Sequence, residues 1–301
     1  MKFSFSGEQD EFRAGLRRRL AERSPTKEVR RLMASDTGWE RAAWQRINDE
    51  LGLTALRIPE EYGGQGFGFG EQAIVLEEMG RVLLCAPYFA TAVLAAGAIL
   101  NAGTAAQKAA LLPGIASGTV VATLASTEDG GGWQAEDTTL VATPDADGWR
   151  LDGHKTLVPD GHTADLVVVL ARAPGSLGED GLSLFTVAAD APGLSRRALE
   201  VLDPTRKLAR LEFHGTPAAL LGEAGAAAAP FARTMAEACV GLANEMVGGA
   251  DRLREDALAY AMMRMQFGRP VAGFQSMKHK QADMLLEVEL AKSAAYYAAA
   301  A

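Results

Sequence analysis

The hydrophobic pattern of this chain changes its period twice, and this change restricts the possible folds more than any other sequence feature. Over residues 1–117 the apolar positions recur at helical spacing, and the stretch that includes Trp44 predicts a helix that Gly52 ends. Over residues 118–224 short β-rich runs are interrupted by Gly, Pro and Asp at roughly ten-residue intervals, which is typical of a compact antiparallel barrel or sandwich. The helical period then returns over residues 225–301.

This order predicts an α+β protein of three domains: an N-terminal helical domain, a middle antiparallel β-barrel or sandwich, and a C-terminal helical bundle. Strands and helices do not alternate, which argues against a Rossmann fold. A length of 301 residues also favours more than one hydrophobic core. The final alanines continue a helical pattern without a stop signal, so we expect the chain to end inside a helix of an incomplete bundle.

Composition argues against several classes of partner. A net charge of -8 and the lack of a dense basic stripe argue against nucleic acid, and the arginine run 17–19 fits a solvated helix face. The apolar stretch 90–100 is too short to span a membrane. Cys85 and Cys239 lie in alanine-rich surroundings and predict buried free thiols. With no apolar run after the N-terminus, we expect a cytoplasmic protein.

Three short motifs carry more specific information than the period. They are PEEYGGQG followed by EEMGR, then GHK followed by GHTAD and an apolar strand, and finally RMQFGRP followed by FQ and KH. Their positions are 59–66 with 77–81, 153–155 with 161–165, and 264–270 with 274–275 and 278–279. In order and wording they resemble the acyl-CoA dehydrogenase family over essentially the whole chain, closest to actinobacterial acyl-CoA and steroid side-chain dehydrogenase subunits.

The resemblance implies a fold, a cofactor and a reaction. FAD would lie between the β domain and the C-terminal bundle. A proton would leave the α-carbon of an acyl-CoA thioester while a hydride passes from the β-carbon to the flavin. The resemblance further implies fatty acid or steroid degradation, an electron-transfer flavoprotein or similar acceptor, and a homo- or hetero-oligomer such as a tetramer.

By the same resemblance, four residues of the third motif would bind the cofactor. Arg264 would reach the FAD pyrophosphate of a neighbouring subunit, because a guanidinium is permanently charged and makes paired hydrogen bonds to phosphate. Gln266 would offer an amide, Phe267 an apolar wall, and Gln275 a contact on the adenosine side. The structural alternatives are a surface arginine at a helix end, residues that fix the turn before Gly268, and an exposed helix glutamine.

A second set of expected cofactor contacts lies in the loop that begins at Thr127. The resemblance makes this the flavin-facing loop, and Gly132 and the glycines before it would let the backbone approach a ligand closely. The alternative is a flexible β turn. The chain departs from the family pattern here: Trp133 replaces a common serine, and Leu157 and Pro159 stand where an aromatic residue and a threonine are usual.

The resemblance also requires a carboxylate base. The reaction needs a carboxylate in a dry pocket with its pKa raised toward working pH. The family places it either in a loop beyond residue 301 or on the first helix of the bundle, at a position that matches Ala238 here. Glu237 is adjacent and points elsewhere, whereas Glu245 lies two turns along the same face. We therefore name Glu245 as the candidate base, with a structural carboxylate as the alternative.

The remaining patterns leave three functions open. The four histidines are scattered without metal-ligand spacing, so no metal is expected. The first function is an active FAD-dependent acyl-CoA dehydrogenase. The second is a non-catalytic subunit that completes a partner's flavin site in a mixed oligomer. The third is a flavin oxidase or monooxygenase on the same fold.

Overall fold

A computed structural model describes residues 5–146 and 148–301. Helices come first, a β domain follows, and helices return, which confirms the predicted order of secondary structure. The helices are α1 (Gly7–Arg23), α2 (Thr26–Met33), α3 (Arg41–Leu51), α4 (Phe69–Val82), α5 (Ala96–Ala102), α6 (Ala105–Ala116), α7 (Ala228–Met263) and α8 (Gln275–Ala300). The strands are β1 (Ala122–Ala125), β2 (Val141–Asp145), β3 (Gly148–Pro159), β4 (Leu166–Arg172), β5 (Leu182–Ala188), β6 (Leu194–Ala198), β7 (Leu208–Leu221), β8 (Met265–Gln266) and β9 (Arg269–Pro270).

The β domain is a small barrel. Strands β2, β3, β7, β5 and β4 are hydrogen-bonded in that order, and a single residue pair, Val141 with Arg172, joins β4 back to β2. Inward-facing side chains such as Phe185, Leu211 and Phe213 fill the interior. Most pairings are antiparallel, as expected. The exceptions are β1 with β4 and the single β2–β4 pair, which are parallel, so the sheet is mixed.

By packing, the chain divides into two compact units. The first contains the residues up to Val29, Gly68–Leu84 and Cys239–Ala301, and the second contains Arg30–Phe67 and Cys85–Ala238. Each unit is therefore assembled from stretches that are far apart in the chain. The expected domain limits after residues 117 and 224 remain a prediction.

In the second unit, α3 is tied to the β domain by polar contacts. Arg41 Nη2 donates to both carboxylate oxygens of Asp165, at 2.8 and 2.9 Å. The indole of Trp44 donates to the Gly118 carbonyl at 3.0 Å. Helix α3 ends at Gly52, which has φ 60°, so the predicted helix stop is confirmed. A left-handed residue at this position favours glycine because it has no Cβ to clash.

In the first unit, α4 and α7 approach closely through two glycines. An added Cβ at Gly80 would overlap the backbone carbonyl of Glu245, and one at Gly248 would overlap the backbone carbonyl of Glu77. Each helix therefore presents a glycine to the other helix's backbone. This close approach fixes where Glu245 lies along α7.

The same two helices share a buried network of charges. Glu77 and Glu78 are buried on α4, and arginines on α1 bind both carboxylates. Arg81 binds Asp251 of α7 at 2.9 Å. Removing one partner of such a pair is costly, because the other charge stays buried without compensation. The network thus links α1, α4 and α7 in a defined register.

Two features of the structure concern membrane-crossing helices and clusters of metal-binding side chains. Across residues 5–146 and 148–301, no helix is both long and apolar enough to cross a membrane. The same residues contain no group of three or more His, Cys, Asp or Glu side chains arranged to hold a metal ion.

Neighbouring glycines on α7 allow a matched test of the close helix approach. We expect Gly248→Ala to lower the free energy of unfolding by about 2 kcal/mol or more, because the new methyl meets backbone that cannot move aside easily. At Gly249 the added Cβ would lie 3.5 Å from the Gly80 carbonyl, an ordinary contact. Gly249→Ala should therefore be neutral or stabilise by up to about 1 kcal/mol through helix propensity. Denaturant unfolding followed by circular dichroism gives both values, and equal effects of the two variants would contradict the close approach.

Candidate functional site

The loop of residues 126–140, between β1 and β2, is held closed at its base by one carboxylate. Glu128 accepts hydrogen bonds from the backbone N–H groups of Thr139, at 2.9 Å, and Leu140, at 2.9 Å, and also from the Thr139 hydroxyl. A side chain near the start of the loop is thereby bound to its last residues. The loop is anchored at its two ends, and the Asp129 carboxylate next to Glu128 also binds Arg210 of β7.

Lys155 binds this carboxylate from inside the β domain. It is 0% exposed on β3, and its Nζ donates to Glu128 Oε1 at 2.7 Å and to the Ser126 carbonyl at 2.9 Å. Burial lowers the pKa of Lys155 to about 8, and Glu128 offsets only part of that effect. Burial raises the pKa of Glu128, but Lys155 and the hydrogen bonds from Thr139 and Leu140 outweigh it, so the net direction is downward.

A buried arginine supports the far side of the loop. Arg172, at the end of β4, donates to the backbone carbonyls of Thr138 and Glu136 within the loop. It also donates to the carbonyls of Ser176 and Gly178 in the following turn. These contacts fix the return limb of the loop, and the positive charge of Arg172 adds to the lowering of the Lys155 pKa.

The apex of the loop is rich in glycine and exposed. An added Cβ at Gly130 or Gly131 would meet nothing within 4 Å, and Gly131 has φ 71°. Gly132 differs, because an added Cβ there would overlap the Asp137 carboxylate. Its glycine is therefore explained by packing inside the loop, and Gly130 and Gly131 offer the open backbone. Thr127, at the start of the loop, is partly buried and accepts a hydrogen bond from the backbone N–H of Thr156 at 2.8 Å.

The departures from the family pattern lie on a β-bulge next to this loop. The pairing of β3 with β7 shifts register between Lys155 and Val158, and Leu157 has φ 53° and is 47% exposed. Val158 turns back into the core. The Pro159 carbonyl accepts a hydrogen bond from the Thr123 hydroxyl at 2.6 Å. Leu157 is therefore a surface side chain beside the loop.

Asp160 follows the bulge and is a carboxyl group that the sequence analysis did not single out. It is 3% exposed, and its backbone has φ 52°. Burial raises its pKa to about 7, with a smaller opposing effect from Arg206. The Arg206 guanidinium lies 4.8 Å from the ring centre of Phe89. Within the second unit, Asp160 is thus a buried acid that titrates near neutrality.

The third motif forms an exposed hairpin in the first unit. Strands β8 and β9 pair Met265 with Pro270 and Gln266 with Arg269. Phe267 and Gly268 form the turn with φ 51° and 75°, the positive values of a type I′ turn. The Phe267 side chain is 91% exposed at the tip.

The hairpin brings the four predicted cofactor residues into one region. Arg264 precedes β8, is exposed, and its backbone carbonyl accepts from Val271 N–H at 2.8 Å. Gln266 lies on β8, and Gln275 is the exposed first residue of α8. Phe267 packs edge-on against the ring of Phe274, with the ring centres 6.1 Å apart. All four predicted side chains are available for contacts outside this chain, and their binding role remains a prediction.

The two glutamates considered on α7 have different surroundings. Glu237 binds Arg57 at 2.7 Å. Burial would raise its pKa, but Arg57, Arg233 and Asn101 outweigh this and lower it. Glu245 is partly exposed, and its backbone lies against Gly80. Its role as the base remains a prediction.

Sequence reasoning missed the contacts that hold the loop. The signal for Lys155 was present, since alternation along β3 places it on the same inward side as Leu151. A charged group on the inner face of a small barrel requires a counter-charge. No comparable signal identifies Glu128, Arg172 or Asp160, because their partners are distant in sequence.

The comparisons with known proteins agree with this architecture. The family models of the acyl-CoA dehydrogenase N-terminal, middle and C-terminal domains match residues 6–119, 123–215 and 218–301. Acyl-CoA dehydrogenase IpdE2 of Mycobacterium tuberculosis is 32% identical over 265 residues, which are 88% of this chain and 67% of that protein. The chain therefore spans about two thirds of that relative's length.

Two solved structures have the same fold. The glutaryl-coenzyme A dehydrogenase complex with glutaryl-CoA gives a TM-score of 0.92 at 28% identity, covering 100% of this chain and 78% of that chain. The ChsE4-ChsE5 complex from Mycobacterium tuberculosis gives a TM-score of 0.85 at 26% identity, covering 99% of this chain and 79% of that chain.

The three family matches, on a fold in which helices precede and follow a β-barrel, identify an oxidoreductase. The chain belongs to the acyl-CoA dehydrogenase family. The recognition made from the three motifs is confirmed, as are the fold class and the assignment as an enzyme family.

The buried acid gives a pH-dependent prediction. A carboxyl whose pKa is raised in the folded state contributes stability at low pH that is lost as the pH rises through that pKa, here about 7. We expect Asp160→Asn to remove this loss and to raise the free energy of unfolding at pH 8 by on the order of 2 to 4 kcal/mol. Asparagine also tolerates the positive φ.

Denaturant unfolding at pH 5 and pH 8 measures the effect. The exposed Asp190→Asn in the same domain is the control and should not change the pH dependence. If Asp160→Asn were less stable than the wild type at pH 8, the ionised carboxylate would be paired, and the assignment of a buried acid would be wrong.

Proposed function

We propose that this chain catalyses the FAD-dependent α,β-dehydrogenation of an acyl-CoA thioester. The observation that supports this most strongly is the loop of residues 126–140, which is pinned at its base by Glu128 and Lys155 and open at its glycine-rich apex. A fixed loop with unobstructed backbone suits a flat polar ligand, since N–H groups can approach it without side chains between them.

The residues present fit FAD. Arg264 offers a permanently charged group for a pyrophosphate, and Gln266 and Gln275 offer amides on the same hairpin region. Gly130 and Gly131 expose backbone on the loop. Leu157 supplies no stacking ring at the bulge, so we expect fewer contacts than a fully equipped family site makes.

When bound, FAD supplies the hydride acceptor. The work of the chain is to bind and orient the thioester and to remove the α-proton. We propose that the Glu245 carboxylate accepts this proton, which requires that water be excluded around it in the assembled protein. Glu237 is unsuited to the role, because Arg57 stabilises its charged form.

A second function is favoured by a separate observation. Leu157 and Pro159 lack the ring and the hydroxyl that the family pattern offers to the flavin, and Glu245 is only partly buried. These features suit a subunit that completes a partner's flavin site through Arg264 and lacks an active site of its own. The similarity to the ChsE4-ChsE5 complex supports the idea of a mixed oligomer.

The wider setting follows from the same proposal. We propose an electron-transfer flavoprotein or similar electron acceptor, an oligomer of one or two kinds of chain, and a cytoplasmic location. Neither cysteine forms a disulfide; Cys85 is buried as expected, whereas Cys239 is exposed, so its predicted burial is wrong.

Product analysis tests the proposed reaction. The purified protein, saturated with FAD and supplied with an artificial electron acceptor, should convert an acyl-CoA into a product with two hydrogens fewer, detected by mass spectrometry. Glu245→Gln should lower the rate by about 100-fold or more, because general-base catalysis contributes at least that much. The exposed Asp256→Asn on the same helix is the control and should leave the rate unchanged.

The outcomes separate the two functions. Product from the chain alone supports the dehydrogenase. No product from the chain alone, with product once a co-purifying second chain is added, supports the subunit. Equal rates for Glu245→Gln and the wild type would remove Glu245 as the base.

A further inference from the structure

The buried pair of Lys155 and Glu128 joins three separate pieces of chain at one point. Glu128 lies at the start of the loop of residues 126–140, its hydrogen-bond donors Thr139 and Leu140 lie at the end, and Lys155 lies on β3. Lys155 also binds the Ser126 carbonyl at 2.9 Å, on the other side of Thr127 from Glu128. Thr127 is therefore held between two groups that both bind the same ammonium.

Stability alone is a poor reason to keep a charge pair in this position. Burying an ammonium and a carboxylate costs solvation, and apolar side chains of similar size are often as stable or more stable. Leu151, four residues earlier on β3, shows that the interior of the barrel accepts aliphatic residues. What an aliphatic pair could not do is bind the backbone of Ser126, Thr139 and Leu140 at fixed directions.

Other contacts hold the loop beyond its base. An added Cβ at Gly130 or Gly131 of the apex would meet open space, but the neighbouring Asp129 carboxylate forms an ion pair with Arg210. Arg172 supports the return limb. Loss of the buried pair would leave these contacts and the barrel core in place and release the base of the loop.

We infer that Lys155 and Glu128 are positioning residues: they hold the loop of residues 126–140 in the conformation that receives the isoalloxazine side of FAD. This inference rests on the proposed function for the identity of the ligand. The mechanical role of the two residues is independent of the proposed function, because it concerns only this chain's own loop.

The test removes both charges together, so that no unpaired charge is left buried. In the double variant Lys155→Met with Glu128→Gln, we expect faster hydrogen exchange at the Thr139 and Leu140 amides in the absence of FAD. We also expect FAD to bind about tenfold more weakly or worse, because a site displaced by an ångström loses much of its affinity. Flavin fluorescence gives the dissociation constant, and circular dichroism gives the melting temperature.

Two controls separate positioning from general stability. Val169→Ala in the barrel core should lower the melting temperature without changing FAD affinity or exchange in the loop. Arg150→Gln removes an exposed ion pair from β3, the strand that carries Lys155, and should change neither FAD affinity nor hydrogen exchange in the loop. If the Met/Gln variant fails to fold, Lys155→Gln with Glu128→Gln is measured in the same way, since both side chains are then neutral and keep hydrogen-bonding groups.

The readouts distinguish the possible failures. If a folded variant shows unchanged hydrogen exchange at the Thr139 and Leu140 amides, the inference is overturned, whether or not the FAD affinity changes. Faster exchange with unchanged FAD affinity shows that the pair fixes the loop but does not serve the cofactor, which also overturns it. If the wild type binds no FAD, the proposed function fails and the cofactor part of the inference fails with it.

Discussion

A charged lysine can remain inside a small β-barrel only if a counter-charge and hydrogen-bond acceptors are built around it. In this chain Glu128 and the Ser126 carbonyl provide them, and the same carboxylate closes the loop of residues 126–140 through two backbone amides. The groups that satisfy one buried ammonium therefore also bind together the two ends of the segment that connects two strands. The open glycines and the start of the candidate flavin contacts are presented by that ordered segment.

The helices obey a comparable constraint. Two glycines let α4 and α7 touch backbone to backbone, and a buried charge network sets the register of the contact. Glu245 lies at this approach, so its position is fixed by packing before any chemistry is considered. On the same helix, Arg57 stabilises the charged form of Glu237. Two glutamates on one helix are thereby given different surroundings by their neighbours.

Much of the architecture could be predicted because hydrophobic period is a local property. The change from helical spacing to β-rich runs and back appeared correctly, and Gly52 ended its helix as expected. The parallel pairing of β1 with β4 could not be predicted, since pairing direction depends on strands that are distant in sequence. The contacts of Glu128, Arg172 and Asp160 were missed for the same reason. The hairpin that carries Arg264 was located by its motif, whereas the backbone space around Gly130 and the packing reason for Gly132 required coordinates.

The most direct test of the central claim is the visible absorption spectrum of the purified protein, recorded without oxygen before and after addition of acyl-CoA thioesters. We expect a flavin band that bleaches with at least one thioester, because FAD, when bound, would supply the hydride acceptor of the proposed reaction. A protein that stays colourless after incubation with FAD, alone and together with any co-purifying chain, would contradict it.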